Sequence, residues 1–302
     1  MQGDFMDIID AHAHIYENLT GFGPRGEARA IGAGMVEWAT GERERFLREV
    51  DGETGFSPER LLELMDEGGI SHAVLLQGSN YGFQNSYIAE AVKKYPTRFT
   101  GAGSFDPYCA AAPKIFSHLT EALGFRAIKF EISARYGLCG YHPSLAIDGD
   151  IFAPYFAIAE QKGITVTVDT GAMGTESFQI DAICRVLDRY PNLTLVVAHT
   201  LFPSATDGKN DERLALVKKM ARKNLYFDTT LKNLEATTVR EYLRAVMDVV
   251  GADHMLWGTD CPGVFMRKDY RQILSEICDT DRFSNEELTL LLGGTARRVY
   301  HC

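Results

Sequence analysis

The segment Ile8-Ile9-Asp10-Ala11-His12-Ala13-His14 decides how the rest of the chain is read. An apolar pair leads into an Asp-Ala-His-Ala-His run, as in a strand that ends in polar side chains. If residues 8–14 are extended, side chains alternate between faces, and His12 and His14 point the same way about 7 Å apart. Two imidazoles so placed suit one metal ion. They equally suit a core that satisfies both histidines, and only the remaining sequence separates the two readings.

Downstream, seven more short apolar or β-branched runs read as strands, at 73–77, 100–105, 127–131, 165–169, 194–199, 225–229 and 255–260. Between them lie helix-like stretches at 58–67, 85–95, 113–123, 151–162, 180–190, 211–223 and 235–250, and two more follow at 270–278 and 285–292. Ser57-Pro58 supplies an N-cap and a proline at the first helical position. Pro96 and Pro191 stop two helices just before a strand. Eight β-then-α units in about 250 residues is the count for a (β/α)₈ TIM barrel. An open, doubly wound parallel sheet is the alternative that periodicity leaves standing.

The surplus over a typical barrel sits in residues 15–56, rich in Gly and Arg and leaving directly from the His-x-His segment. We read it as an insertion loop over the barrel mouth, with a solvated surface excursion as the alternative. No repeat, low-complexity tract or Pro/Ser-rich linker marks a boundary, so residues 1–302 are expected to form one domain.

With 45% hydrophobic and 24% charged residues, the composition is that of a soluble globular protein. A net charge of −10 without any Lys/Arg run leaves no electrostatic footprint for nucleic acid or an anionic membrane. Neither a signal-like N-terminus nor a run of about 18 apolar residues occurs. The expectation is a cytoplasmic protein handling a small-molecule substrate, as a homo-oligomer, dimer first. The six cysteines are scattered without Cys-x-x-Cys and suggest neither a disulfide framework nor a zinc knuckle.

In a barrel, reactive side chains project from the C-terminal strand ends. His12 and His14 end strand 1, Glu131 strand 4, Asp169 strand 5, His199 strand 6 and Asp260 strand 8. Alternation in residues 127–131 sets Lys129 and Glu131 on one face and two large apolar residues on the other. Lys129 is read first as a counter-ion to nearby carboxylates, then as a catalytic group, and last as a carbamylated bridge between two metals. Singly, each strand-end residue has a bland explanation: a turn-capping carboxylate for Asp169 and Asp260, a structural histidine for His199. Jointly they describe a polar constellation at one barrel mouth.

These residues resemble the metal-dependent amidohydrolase superfamily, in its amidohydrolase-related, aminocarboxymuconate-semialdehyde decarboxylase-like branch. The resemblance covers Asp10 to His14, Asp150-Ile151-Phe152, Gln161-Lys162-Gly163, Asp169-Thr170-Gly171, Tyr190 to Leu193, Ala198-His199, Asn224 to Asp228, Trp257 to Asp260 and Gly293 to Arg298. It implies a distorted barrel holding one divalent metal ion, zinc first and manganese second. By position, His12 and His14 would be ligands, Asp260 a ligand or proton-transferring carboxylate, and His199 the group that activates water or polarises substrate. The branch usually carries a histidine at the end of strand 5. Asp169 stands there in this chain and is taken as the fourth ligand, which favours a harder metal.

The leading expectation is hydrolysis of a small carboxylate-bearing amide, ester or lactone by metal-activated water. His199 and Asp260 would be catalytic, and Arg25, Arg29, Lys129 and Glu131 would bind substrate, the arginines by clamping a carboxylate. Non-oxidative decarboxylation of an aromatic or unsaturated acid is the second expectation, and a non-catalytic metal- or ligand-binding barrel the third.

Overall fold

The computed structural model describes residues 7–230, 237–278 and 281–302. In chain order the strands are β1 (Ile9–Ala13), β2 (Thr20–Gly23), β3 (Gly26–Gly32), β4 (Met35–Trp38), β5 (Arg43–Arg45), β6 (His72–Leu75), β7 (Phe99–Gly101), β8 (Ala127–Glu131), β9 (Thr165–Asp169), β10 (Leu195–Val197), β11 (Leu225–Asp228) and β12 (Met255–Leu256). The helices are α1 (Pro58–Gly68), α2 (Asn85–Lys94), α3 (Ala112–Ser117), α4 (Ala153–Lys162), α5 (Ile180–Arg189), α6 (Asn210–Met220), α7 (Thr237–Val250), α8 (Tyr270–Ile277), α9 (Asn285–Thr289) and α10 (Thr295–Tyr300). The first two residues of the helix expected at 235–250 lie outside the described residues.

Parallel ladders join β1-β6-β7 and β8-β9-β10-β11-β12, and two seams complete the ring. Gly103 donates to Ala127 O at 2.9 Å and accepts from Lys129 N at 2.8 Å, carrying the order from β7 to β8. On the other side Ala11 N donates to Trp257 O at 2.9 Å, Asp260 N to His12 O at 2.8 Å and His14 N to Cys261 O at 3.0 Å. Eight strands therefore close into the expected barrel. The stretch expected as strand 8 is regular only over Met255–Leu256, yet its continuation to Cys261 stays bonded to β1. Gly258 permits that approach, because a Cβ there would lie 2.8 Å from His12 Cβ.

Alternation distributes the side chains. In β8, Ile128 and Phe130 join the large core beneath the helices, whereas Ala127 joins a smaller apolar layer with Ile9, Ala11, Val74, Val196 and Leu256. Lys129 and Glu131 share the parity of Ala127 and so face the interior. In β1 the register against β6 breaks between Asp10 and Ala13. Ile9 and Ala11 thus sit in the inner layer and Ala13 in the outer one. The C-terminal helix α10 closes the opposite end: Tyr300 joins the inner layer and its hydroxyl lies 2.7 Å from Thr167 Oγ1.

Helix ends follow the sequence signals. Ser57 accepts from Arg60 N at 3.1 Å, and α1 stops at Gly69, whose φ of 74° suits a residue without Cβ. Capping boxes at Asp269 and Ser284 start α8 and α9. Among the described residues, no helix is long and apolar enough to cross a membrane.

The insertion, expected as a loop, is a four-stranded antiparallel meander in the order β2-β3-β4-β5. Its glycines mark hairpin turns: Gly26, Gly32, Gly34 and Gly41 all have positive φ. The meander packs on the barrel through Phe46, whose ring is 5.8 Å from that of Tyr81, which is in turn 4.8 Å from the ring of His14.

Candidate active site

His12 and His14 face the interior, each 1% exposed or less. His12 Nδ1 lies 2.9 Å from Asp228 Oδ2, and His14 Nδ1 lies 2.9 Å from Leu76 O. An ionised carboxylate and a carbonyl can only accept, so both Nδ1 atoms donate and both Nε2 atoms carry lone pairs. These lone pairs converge on Asp260: His14 Nε2 is 3.0 Å and His12 Nε2 3.8 Å from Oδ1. A neutral imidazole and a carboxylate would meet lone pair to lone pair at 3.0 Å, an arrangement that calls for a positive charge between them. Burial pushes the His14 pKa down, which disfavours a proton as that charge. His12 is lowered too, to about 4, by burial and then by the Lys129 ammonium.

The ligand atoms of His12, His14 and Asp260 all lie within 4.8 Å of one another. Two imidazole nitrogens and one carboxylate oxygen fit a divalent ion and leave coordination positions open, as catalytic sites do. Asp260 adopts φ 61° at the bend between β12 and the loop, which turns its carboxylate toward the histidines. Although burial opposes ionisation of Asp260, its nearness to His14 and His12 and to the His199 imidazolium holds its pKa well below the carboxylate range.

Asp169 and His199 form a second group. Asp169 Oδ2 lies 2.9 Å from His199 Nε2, and Oδ1 accepts from Gly171 N at 2.9 Å. His199 Nδ1 meets Thr230, whose hydroxyl donates to Asp228 Oδ1 at 2.8 Å. Both ring nitrogens of His199 therefore donate, the pattern of an imidazolium. Burial opposes that charge, but Asp169, then Asp228 and Asp260, raise the His199 pKa to about 9. Burial would also raise Asp169, yet His199 and then Lys129 hold it far below the usual range. Beside it Glu131 moves the opposite way, raised by burial and by the Asp169 carboxylate.

Among the described residues, the group able to hold a metal comprises His12, His14 and Asp260, and Asp169 falls outside it. Lys129 and Glu131 are buried next to these two groups, with Lys129 Nζ 3.1 Å from His12 Nε2. Arg25 and Arg29 are not brought to them. Arg25 binds Glu42 at 2.9 Å and Glu44 at 2.5 Å and stacks over Trp38, while Arg29 pairs with Glu37 across the meander.

Two buried aspartates join the site without a role having been read for them in the sequence. Asp228, fully buried, takes His12 Nδ1 on one oxygen and His199 N on the other, the latter at 2.7 Å, so it ties the two groups together. Burial opposes its charge, but His12 and His199 lower its pKa to about 2. Its position at the end of β11 was the available signal, the same one that marks Asp169 and Asp260. Asp10 accepts from His12 N at 3.1 Å, Thr259 N at 3.0 Å, Thr259 Oγ1 at 2.6 Å and Tyr270 OH at 2.8 Å, clamping β1 to the segment carrying Asp260.

A barrel with this mouth is matched by the amidohydrolase family model over residues 9–302. The chain belongs to the amidohydrolase family. A curated relative, the L-fucono-1,5-lactonase of Burkholderia ambifaria, is 24% identical over 216 residues, 68% of this chain and 70% of that protein. Among solved structures, a zinc-bound amidohydrolase from Burkholderia multivorans matches with TM-score 0.68 at 16% identity, over 97% of this chain and 99% of that one. The 5-carboxyvanillate decarboxylase of Sphingomonas paucimobilis matches with TM-score 0.57 at 18% identity, over 80% of this chain and 82% of that one. The chain is thus an enzyme of the amidohydrolase family, in which binding of a divalent metal is typical.

Proposed function

We propose that the chain hydrolyses a small lactone, using a divalent ion, zinc first and manganese second, held by His12, His14 and Asp260. The observation that carries this reading is the convergence of the Asp260 carboxylate with two imidazole nitrogens whose ring partners are committed to acceptors. Similarity to a lactonase supports the choice of a cyclic ester among the substrates of the superfamily. When bound, the ion supplies Lewis-acid polarisation of the lactone carbonyl and lowers the pKa of water.

The protein's own groups do the rest. Asp260 is the accessible member of the trio, its side chain 26% exposed against 2% or less for the histidines. It takes the proton of the attacking water and returns it to the ring oxygen as the acyl C–O bond breaks. His199, kept charged by Asp169, adds a fixed positive charge near the His12 ring, 5.1 Å away between centroids, which favours the anionic transition state of acyl transfer. In this scheme Asp169 positions His199 rather than serving as fourth ligand.

The test is a chelator-stripped protein assayed for acid release from a panel of aldonolactones and aromatic lactones, before and after adding Zn²⁺ or Mn²⁺. CO₂ release from hydroxybenzoates is followed in parallel. Acid release restored by metal is the expected result. A panel yielding only CO₂ replaces the hydrolase reading with a decarboxylase, and turnover that survives complete metal removal overturns the metal assignment.

A further inference from the structure

Lys129 leaves the interior face of β8 with Nζ 3.1 Å from His12 Nε2 and 3.5 Å from Glu131 Oε2, its side chain 2% exposed. The His12 contact has one sense only. Nδ1–H of His12 is committed to Asp228, so Nε2 offers the ring's remaining lone pair, and an ammonium has donors alone. A metal ion must take that same lone pair, at about 2.0–2.1 Å for zinc. One nitrogen lone pair cannot serve both cations, and a fixed positive charge this close repels a divalent ion. The ammonium has somewhere else to go, because Glu131 already borders it and its charge acts on Asp169.

Resting on the metal-centre reading above, we infer that Lys129 is a built-in competitor for the metal site. Its ammonium holds the His12 lone pair in the metal-free protein, and a divalent ion binds by displacing it onto Glu131 and Asp169. Lys129 thereby sets the metal affinity without being a ligand. The role is opposite to that of a carbamylated lysine, whose loss would weaken metal binding.

The experiment is a chelator-competition titration of Zn²⁺ and Mn²⁺ into the wild type and Lys129→Met, after thermal melts in metal-free buffer have shown that both fold. Removing one competing hydrogen bond and one repulsive charge is expected to lower the zinc Kd at least about tenfold. The zinc-induced rise in melting temperature should grow accordingly. Lys129→Met takes the ammonium away from Glu131 and leaves Asp169 with His199 as its cation, so Lys129→Met/Glu131→Gln is titrated as well, with the same tightening expected. Unchanged or weaker affinity in a folded variant overturns this inference and leaves the metal centre standing. Binding by neither wild type nor variant overturns the metal centre and the inference with it.

Discussion

The two halves of the barrel mouth are built on opposite principles. On the β1 and β12 side, His12, His14 and Asp260 aim lone pairs at one another, and the Lys129 ammonium is the donor that reaches the His12 member. On the β9 to β11 side, both ring N–H groups of His199 meet acceptors and Asp169 is filled by His199 and Gly171. The first half is short of positive charge; the second is closed on itself. On the proposed reading the first half is the metal site, marked by what its groups lack, and the second is its frame, marked by what they have already satisfied. Asp228 belongs to both, with one oxygen in each half.

The open half depends most on Asp260. Asp260→Asn removes the anion of the open half, and we expect zinc content near zero by elemental analysis with kcat/KM for the lactone lowered by about 10³-fold or more. Retained zinc would mean that the metal is held elsewhere. Asp228→Asn comes next. An amide can turn its NH₂ toward His12 Nδ1, which removes the tautomer lock, and losses of an outer partner of this kind run to about 10–100-fold in metal affinity or activity. Because Asp228 serves both halves, zinc affinity and kcat should fall together.

The open half was legible in the sequence because its signals are local. His12 and His14 share a face by alternation, and Asp260 falls where an apolar run breaks. Barrel order follows from counting eight β-then-α units, and closure needed only the seams at Gly103 and Trp257 to Cys261. The closed half was less legible because its function lies in pairing across strands. Nothing in the residues around Asp169 says that its partner is His199 just after β10, and nothing around Asp228 says that it reaches both His12 and His199. Arg25 and Arg29 show the reverse situation. Composition offered them to a substrate, whereas the hairpins of the insertion place Glu37, Glu42 and Glu44 within reach of their guanidinium groups. The glycine spacing that made the insertion look like a loop is what turns its four strands.

A smaller effect is expected when the closed half is opened without touching the trio. Asp169→Asn should keep zinc content within about twofold of wild type while lowering kcat about tenfold through the loss of the His199 charge. Its second signature is in stability. His199 is raised from 6.5 to about 9, so its contribution is full below pH 6.5 and is lost as pH climbs through about 9. Asp169 is depressed below 3.8, so its share persists above that pH and is lost only in stronger acid. The melting temperature of the metal-free wild type should therefore decline between pH 6.5 and 9.5, and the decline should flatten in the variant. An identical pH profile for both proteins would show that the pair carries no charge.

The smallest effect concerns how His199 is held. Residues 199–202 have φ values of 61, 44, 62 and 54°, four consecutive left-handed residues of which none is glycine. Such a conformation costs about 1–2 kcal/mol per residue and persists only where the surroundings fix it. Here Tyr242 OH donates to Thr200 O at 3.1 Å, Arg213 Nε donates to Leu201 O at 3.2 Å, and Thr200 Oγ1 donates to Asp228 O. Tyr242→Phe removes one anchor and leaves Thr200 O buried without it, which should cost about 1 kcal/mol in denaturant titration. Since Tyr242 touches neither the trio nor Asp169, zinc affinity should stay as in wild type, with kcat lowered a few-fold and KM unchanged. A parallel loss of zinc would mean that the strained turn and the open half move as one, and that Asp228 transmits the disturbance from β10 to His12.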